Sequence, residues 1–466
     1  MEKESKIIRE NFQIFGVATF LFACFYTFCM YKNDAGITYL FLVAAGLFYV
    51  KYCGMQLGFT AKRGTLFYVV CLLLLGISTF CTDDARIIFF NKTGVFLLMI
   101  SMVLFNVFET KHWGLGKYVL TIIQSILWSW GEWIRPFGDA GFYCKNKLGN
   151  KGKNILYALL SVVVSVPVVV LVMNLLMSAD ILFGNMADKI LESLNLANII
   201  GISGLTALVF FAVYGFLSYV VKGDIKEEVT EGKRAQEILA IPMAGILTAI
   251  YLTFSVVQIA GLFLGKMTLP EGYTYAMYAR EGFFQLLAVS ILNLILVLSG
   301  MQFFKENRVL NVLLTLMSLC TFIMIASSAM RMILYIQTYH LTFLRILVLW
   351  GLLVLTVLFV GVITNLYQKK FSLFRYSMVV VTVCYLALSF AHPDYWIAKY
   401  NVAQQGRGIP VDEYYLRDLS ADAAPVLVAY FGAEEMEYNW NISNSSSMRK
   451  FNVSRTVAKQ LVDIKK

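Results

Sequence analysis

Glu281, Arg331 and Arg345 are charges set in apolar surroundings. An ionisable side chain inside or at the mouth of a membrane-length apolar run needs a partner, and so marks a candidate site. Glu281 opens an apolar run over about 281–302, Arg331 lies near the end of the next at 309–336, and Arg345 opens a third at 342–366. If successive runs reverse direction, the three charges reach a similar depth at one face. Arg280, Tyr275, Tyr278, Tyr335, Tyr339 and His340 fall around that level. The expected pairing is Glu281 with Arg331, with Arg345 as the alternative. Such a group could hold a small polar or anionic molecule, or a lipid headgroup. The same residues also suit a clamp at helix ends, with Arg331 snorkelling to the headgroups and the tyrosines forming an aromatic belt.

Other chemistries have little to stand on. No Gly-x-x-x-x-Gly-Lys-Ser/Thr, His-Glu-x-x-His or Gly-x-Ser-x-Gly occurs. The three histidines (112, 340, 392) are far apart in sequence, and the eight cysteines include no Cys-x-x-Cys. That argues against a metal centre or a disulfide framework. Few acids lie deep in an apolar run, so a proton relay carries less weight. No nucleophile–base pair is visible. The sequence names no catalytic residue, cofactor or metal, and a membrane enzyme is the weakest of three readings. The others are a transporter-like or receptor-like protein with the outer site, and a non-catalytic regulatory or scaffold subunit of a membrane complex.

The elements that must position these groups are transmembrane helices. The chain is 466 residues, 59% hydrophobic and 15% charged, with mean hydropathy +0.69. A soluble core needs far less apolar residue. Runs of membrane length fall at about 12–30, 37–52, 65–81, 87–108, 155–178, 198–221, 238–264, 281–302, 309–336, 342–366 and 371–391. The expected fold is an all-α polytopic bundle of about eleven spans. The net charge is +10, but residues 392–466 hold nine cations and nine acids, so the excess lies among the spans. That pattern fits a lipid bilayer rather than nucleic acid as the partner. With the N-terminus inside, the connections placed inside hold 22 Lys and Arg against 6 in those placed outside. The rule that positive charge stays inside puts the N-terminus in the cytoplasm and, after an odd number of spans, the tail outside.

Residues 111–154 are the most basic connection. Val119, Ile122, Ile123, Ile126, Leu127, Trp130 and Trp133 recur there at helical spacing, with Trp128 beside them. An amphipathic helix over 117–134, lying in the cytoplasmic interface, is expected, able to meet anionic lipid or a partner subunit. The rival, a twelfth span, needs a longer apolar run. The division is then 1–110 as a four-helix segment, 111–154 as the basic connection, 155–391 as a seven-span core and 392–466 as the tail. Pro167 should kink its span, and 179–197 reads as a short surface helix. In the tail, one or two short helices are expected over 411–431, with Ser420 as an N-cap; 439–447 reads as loose.

Residues 269–288 read Leu-Pro-Glu-Gly-Tyr-Thr-Tyr-Ala-Met-Tyr-Ala-Arg-Glu-Gly-Phe-Phe-Gln-Leu-Leu-Ala. They open with a Pro-Glu-Gly turn, and Tyr275, Tyr278, Gly282 and Gln285 then share one helical face. This segment resembles one characteristic of a bacterial multi-pass membrane family known as domain of unknown function 4153/4173. Arg331-Met-Ile-Leu-Tyr335, Leu341-Thr-Phe-Leu-Arg345, Pro393-Asp394-Tyr-Trp and Leu419-Ser-Ala-Asp-Ala-Ala-Pro425 resemble its following segments. The resemblance covers about 155–430 and implies a bacterial plasma membrane. It implies no activity and supplies no site residues, and 1–154 carry no matching motif.

Overall fold

The computed structural model describes residues 2–110, 113–147, 171–173, 175–180, 196–223, 236–260, 275–368, 370–406, 410–440 and 448–465, with the single positions 154, 161, 165, 169, 183 and 186. The side chains of 2–5 and 275–281 lie outside that description. Among the described residues all regular structure is helical. Nine helices are long and apolar enough to cross a membrane: α2 (Phe12–Met30), α3 (Thr38–Gln56), α5 (Ala85–Val107), α8 (Leu196–Lys222), α9 (Ala240–Gln258), α10 (Tyr275–Phe303), α11 (Arg308–Tyr339), α12 (Phe343–Tyr367) and α13 (Leu373–Phe390). Another, α4 (Thr65–Cys81), is apolar but has 17 residues, at the short limit for a span. Of the run at 155–178 only 161, 165, 169, 171–173 and 175–178 are described, all of them helical; the Pro167 kink, the turn at 269–272 and most of the surface helix expected at 179–197 lie outside the described residues.

These helices tolerate polar residues because many hydroxyls bond to their own backbone. Thr19, Thr79, Thr248, Ser290, Ser318 and Thr321 each donate to the carbonyl four residues earlier, at 2.6–2.8 Å. A hydroxyl satisfied in that way is cheap to bury.

The start of the chain and its tail sit at opposite ends of the bundle. α1 (Glu2–Glu10) packs against α7 (Arg135–Lys147) and α8. There Asp139 is buried, accepting from Tyr214 Oη at 2.9 Å with Arg9 and Arg135 beside it. At the far end of α2, Arg449 of the tail donates to the carbonyls of Phe28 and Tyr31. Between the two lie the 19 residues of α2, about 28 Å of helix.

α6 (Leu115–Ser129) does not cross this bundle. Tyr118 near its start stacks on Phe374 at the foot of α13, with centroids 3.6 Å apart. Just beyond its end, Glu132 pairs with Lys222 at the foot of α8, at 3.2 Å. Both contacts lie at the end away from the tail. The helix also turns its small polar face inward. Tyr118, Thr121, Ser125 and Ser129 are buried, while Trp128 and Trp130 are 65% and 67% exposed. Thr121, Ser125 and Ser129 each bond to a carbonyl of their own helix. Apolar residues outward and satisfied hydroxyls inward is the polarity expected where the solvent is hydrocarbon.

The tail is an ordered helical cap. α14 (Pro393–Gln405), α15 (Glu413–Arg417), α16 (Ala424–Phe431), α17 (Ala433–Trp440) and α18 (Val453–Lys465) bury Ile397, Leu416, Leu427, Met436 and Val462 together, against Ile87 and Phe343 of the bundle. α14, α17 and α18 are additions to the expected elements, and α17 takes in Asn439, at the start of the stretch read as loose; 441–447 lie outside the described residues. Ser420 does precede a helical turn, but its hydroxyl makes no capping bond. The anchoring there falls to Asp394, whose carboxylate accepts the Ser420 backbone N–H at 2.9 Å.

Candidate functional site

The ends of α10, α11 and α12 meet under the tail, as the reversal of successive runs requires. Arg331 is 5% exposed on α11. Its guanidinium lies across Gly282 of α10, so closely that a Cβ at 282 would overlap Nη1. Gln258 of α9 accepts from Ser327 Oγ at 2.7 Å and from Arg331 Nη2 at 3.4 Å. Glu281 and Arg280 precede Gly282 in α10, which puts them at the level of Arg331; their side chains lie outside the description.

Arg345 of α12 turns back to the end of α11. Its Nη1 donates to the carbonyls of Tyr339 and His340 at the end of α11. A guanidinium at a helix C-terminus satisfies orphan carbonyls and complements the dipole. Its central carbon stands 4.4 Å from the centroid of the Tyr335 ring. Among the described residues no carboxylate pairs with Arg345. A cavity of about 170 Å³ opens beside it, lined by Phe283, Met332, Tyr335, Thr342 and Val348 among others. At ~30 Å³ per water, that is room for a few waters or one phosphate-sized group.

The tail pins the turn above this cavity. Asn401 straps Leu341, donating to its carbonyl and accepting from its N–H, both at 2.9 Å. Phe343 N–H donates to Tyr415 Oη at 3.0 Å. His340 takes a left-handed backbone, φ 67°, and its Nε2 meets the Pro410 carbonyl at 2.7 Å. A residue that is not glycine holds such a conformation only when its surroundings fix it.

A second polar constellation joins the tail to the α4–α5 turn, and the sequence reading did not single it out. Asp394 is fully buried and pairs with Arg86, which also holds Asp84. Asp84 caps α5, accepting the Arg86 N–H at 2.9 Å. Asp422 accepts from Thr82 Oγ1 at 2.5 Å and Asp83 N–H at 2.7 Å, and lies 3.0 Å from His392 Nδ1. Arg455 of α18 pairs with Asp83 at 2.6 Å. The available signal was four polar residues, Thr82, Asp83, Asp84 and Arg86, crowded between two apolar runs. Among the described residues no three His, Cys, Asp or Glu side chains are placed to hold a metal ion.

The constellation titrates. The hydrogen bond to Asp422 holds His392 above its usual 6.5, against the opposing effect of burial. Burial raises the carboxyls of Asp83 and Asp394. Burial also acts to raise Asp422, but hydrogen bonds from His392 and Thr82 outweigh it and leave the group below its usual range. A raised histidine stabilises docking fully below its ordinary pKa and loses that contribution as pH rises through the raised value. The lowered Asp422 acts the other way, losing its contribution only as pH falls through its depressed value. Docking of the tail is therefore expected to loosen as pH rises above the ordinary histidine value and through the raised one, read as faster proteolysis of the tail. His392→Gln should flatten that dependence; an unchanged slope in the variant would count against His392 as its source.

Membrane-length helices stacked in register, lipid-polarity packing of α6 and a helical cap over one end define a multi-pass integral membrane protein. A sequence profile of the domain of unknown function DUF4153 matches residues 69–430. The chain belongs to that family. The match begins inside α4, so it takes in α5, α6 and α7, which the motif resemblance from about 155 onward had left out. No curated protein and no solved structure matches the chain.

Proposed function

We propose that this protein binds a small anionic or polar molecule, or a lipid headgroup, in the Arg345 cavity on its extracytoplasmic face, acting as a transporter-like or receptor-like protein of a bacterial plasma membrane. The observation that carries the reading is Arg345 itself: a guanidinium in a cavity wall, stacked on Tyr335, with no carboxylate partner among the described residues. Arg331, with Glu281 as its proposed partner, lies one helix away and would brace the wall rather than add net charge. The excess of positive charge at the ends away from the tail supports the orientation. On the cytoplasmic side the exposed Lys145 and Lys147 at the end of α7 would meet anionic lipid.

Losing a charge-assisted hydrogen bond costs about 1.5–3 kcal/mol, roughly ten- to hundredfold in affinity. In a thermal-shift panel of phosphate- and carboxylate-bearing headgroups, at least one class should stabilise the purified protein. Ligand at about 100 times its Kd adds about 2.7 kcal/mol. Arg345→Gln should abolish that shift at the same concentration. Equal shifts in both proteins would remove Arg345 from the site, and the scaffold-subunit reading would then be favoured.

A further inference from the structure

A second cavity, of about 470 Å³, lies in the other half of the bundle, between α2, α3 and α5 on one side and α6 and α8 on the other. Its wall includes Phe22 and Tyr26 of α2, Gly46 of α3, Met99 of α5, Ile126 of α6 and Ala212 of α8. Along α5 it extends from Lys92 to Val103, eleven steps or about 16 Å of helix. That is the length of a hydrocarbon chain rather than of a compact ligand. The end away from the tail is lined by Trp130 and Trp133, which follow α6.

Its contents follow from what can fill an apolar space inside a membrane. A buried water needs two to four polar partners. Along its length the wall has few to offer: Ser129 Oγ bonds to Ile126 and Tyr49 Oη to Thr19, and the other polar atoms beside Lys92 stand toward the two ends, Tyr26 and Tyr39 near the tail and Trp130 and Trp133 away from it. A void would forfeit the dispersion contacts of every wall atom. Hydrocarbon is the remaining abundant filler. One cation stands at the mouth. Lys92 lies seven residues into α5, yet its Nζ reaches Asp34 in the α2–α3 turn at 3.5 Å, so the ammonium snorkels to headgroup level. Asp34 is 93% exposed and so compensates that charge weakly.

We propose that this cavity holds one acyl chain of an anionic membrane lipid, with its phosphate drawn to Lys92. The site is separate from the Arg345 cavity and stands whether or not that one binds a ligand. The test is lipid analysis by native mass spectrometry of the full-length protein from mild detergent, after exchange into mixed phosphatidylglycerol and phosphatidylcholine vesicles. The wild-type chain should retain one lipid, enriched in phosphatidylglycerol. Ala212→Trp, which fills the cavity, should lower its occupancy at least tenfold, and Lys92→Gln should keep a lipid but lose the enrichment. Because Ala212→Trp could misfold, the wild-type chain is also crosslinked with phosphatidylglycerol carrying a diazirine in its acyl chain. Adducts should map to Met99, Ile126 and their neighbours. Equal occupancy in wild type and a folded Ala212→Trp, adducts confined to other helices, or a non-lipid occupant such as a quinone would overturn the proposal.

Discussion

Asp394→Ala is expected to unlatch the tail. The substitution removes one of the two buried carboxylates that hold Arg86 and leaves the Ser420 N–H without an acceptor. Breaking a buried ion pair from one side costs about 3–5 kcal/mol. Arg86 is 38% exposed and keeps the buried Asp84, and burial already disfavours the charge on Asp394, so the loss is nearer that of a hydrogen bond to a charged group, about 1.5–3 kcal/mol. The Arg86 guanidinium also keeps Asp84 and the face of Phe343, 4.0 Å away. The effect should therefore appear as local release of the cap rather than collapse of the bundle. It should be read as rapid proteolysis of 393–466 with the membrane helices intact. Asp394→Asn, which keeps an acceptor for Ser420, should be milder. Tail protection unchanged in the alanine variant would mean that the apolar contacts to Ile87 and Phe343 suffice to hold the cap.

Gly282→Ala tests the seat of Arg331, and two opposing terms decide its sign. Replacing glycine by alanine inside a helix gains about 1 kcal/mol from backbone entropy. The new methyl would overlap Arg331 Nη1 and force a buried guanidinium away from Gln258. Overpacking of this kind costs about 1–3 kcal/mol, and displacing a buried hydrogen-bonded charge adds to it. Net destabilisation of about 1–3 kcal/mol is expected, seen as a lower unfolding temperature in detergent. Arg331→Leu in the same chain should recover part of the loss, because the two side chains compete for one space. A neutral or more stable Gly282→Ala would show that the guanidinium does not rest on this glycine.

The membrane helices were legible because hydropathy over about twenty residues is a local property. Arg331 and Arg345 stood out for the same reason, as charges in apolar runs. What each does was not legible. Arg345 caps α11 because the α11–α12 turn brings it back to Tyr339 and His340, a geometry set by backbone and not by composition. The inward polar face of α6 was also hidden. Its stripe of apolar residues was visible, but the sequence does not say whether hydrocarbon or protein lies against it. The tail latch was the least accessible feature. Arg86 and Asp394 are 308 positions apart and Thr82 and Asp422 are 340 apart, and no local pattern couples them. The resemblance motifs did contain Asp394 and Asp422, so the residues were in view before their partners were.

The Arg345 cavity is expected to open on the extracytoplasmic face beneath the tail. The direct test places a single cysteine at Thr342, in the cavity wall, after the eight native cysteines are replaced. Intact cells are then treated with a membrane-impermeant maleimide. Thr342→Cys is expected to react from outside, and more slowly once a stabilising anion from the thermal-shift panel is present. Reaction only after the cells are opened would put the cavity and the tail in the cytoplasm and contradict the account.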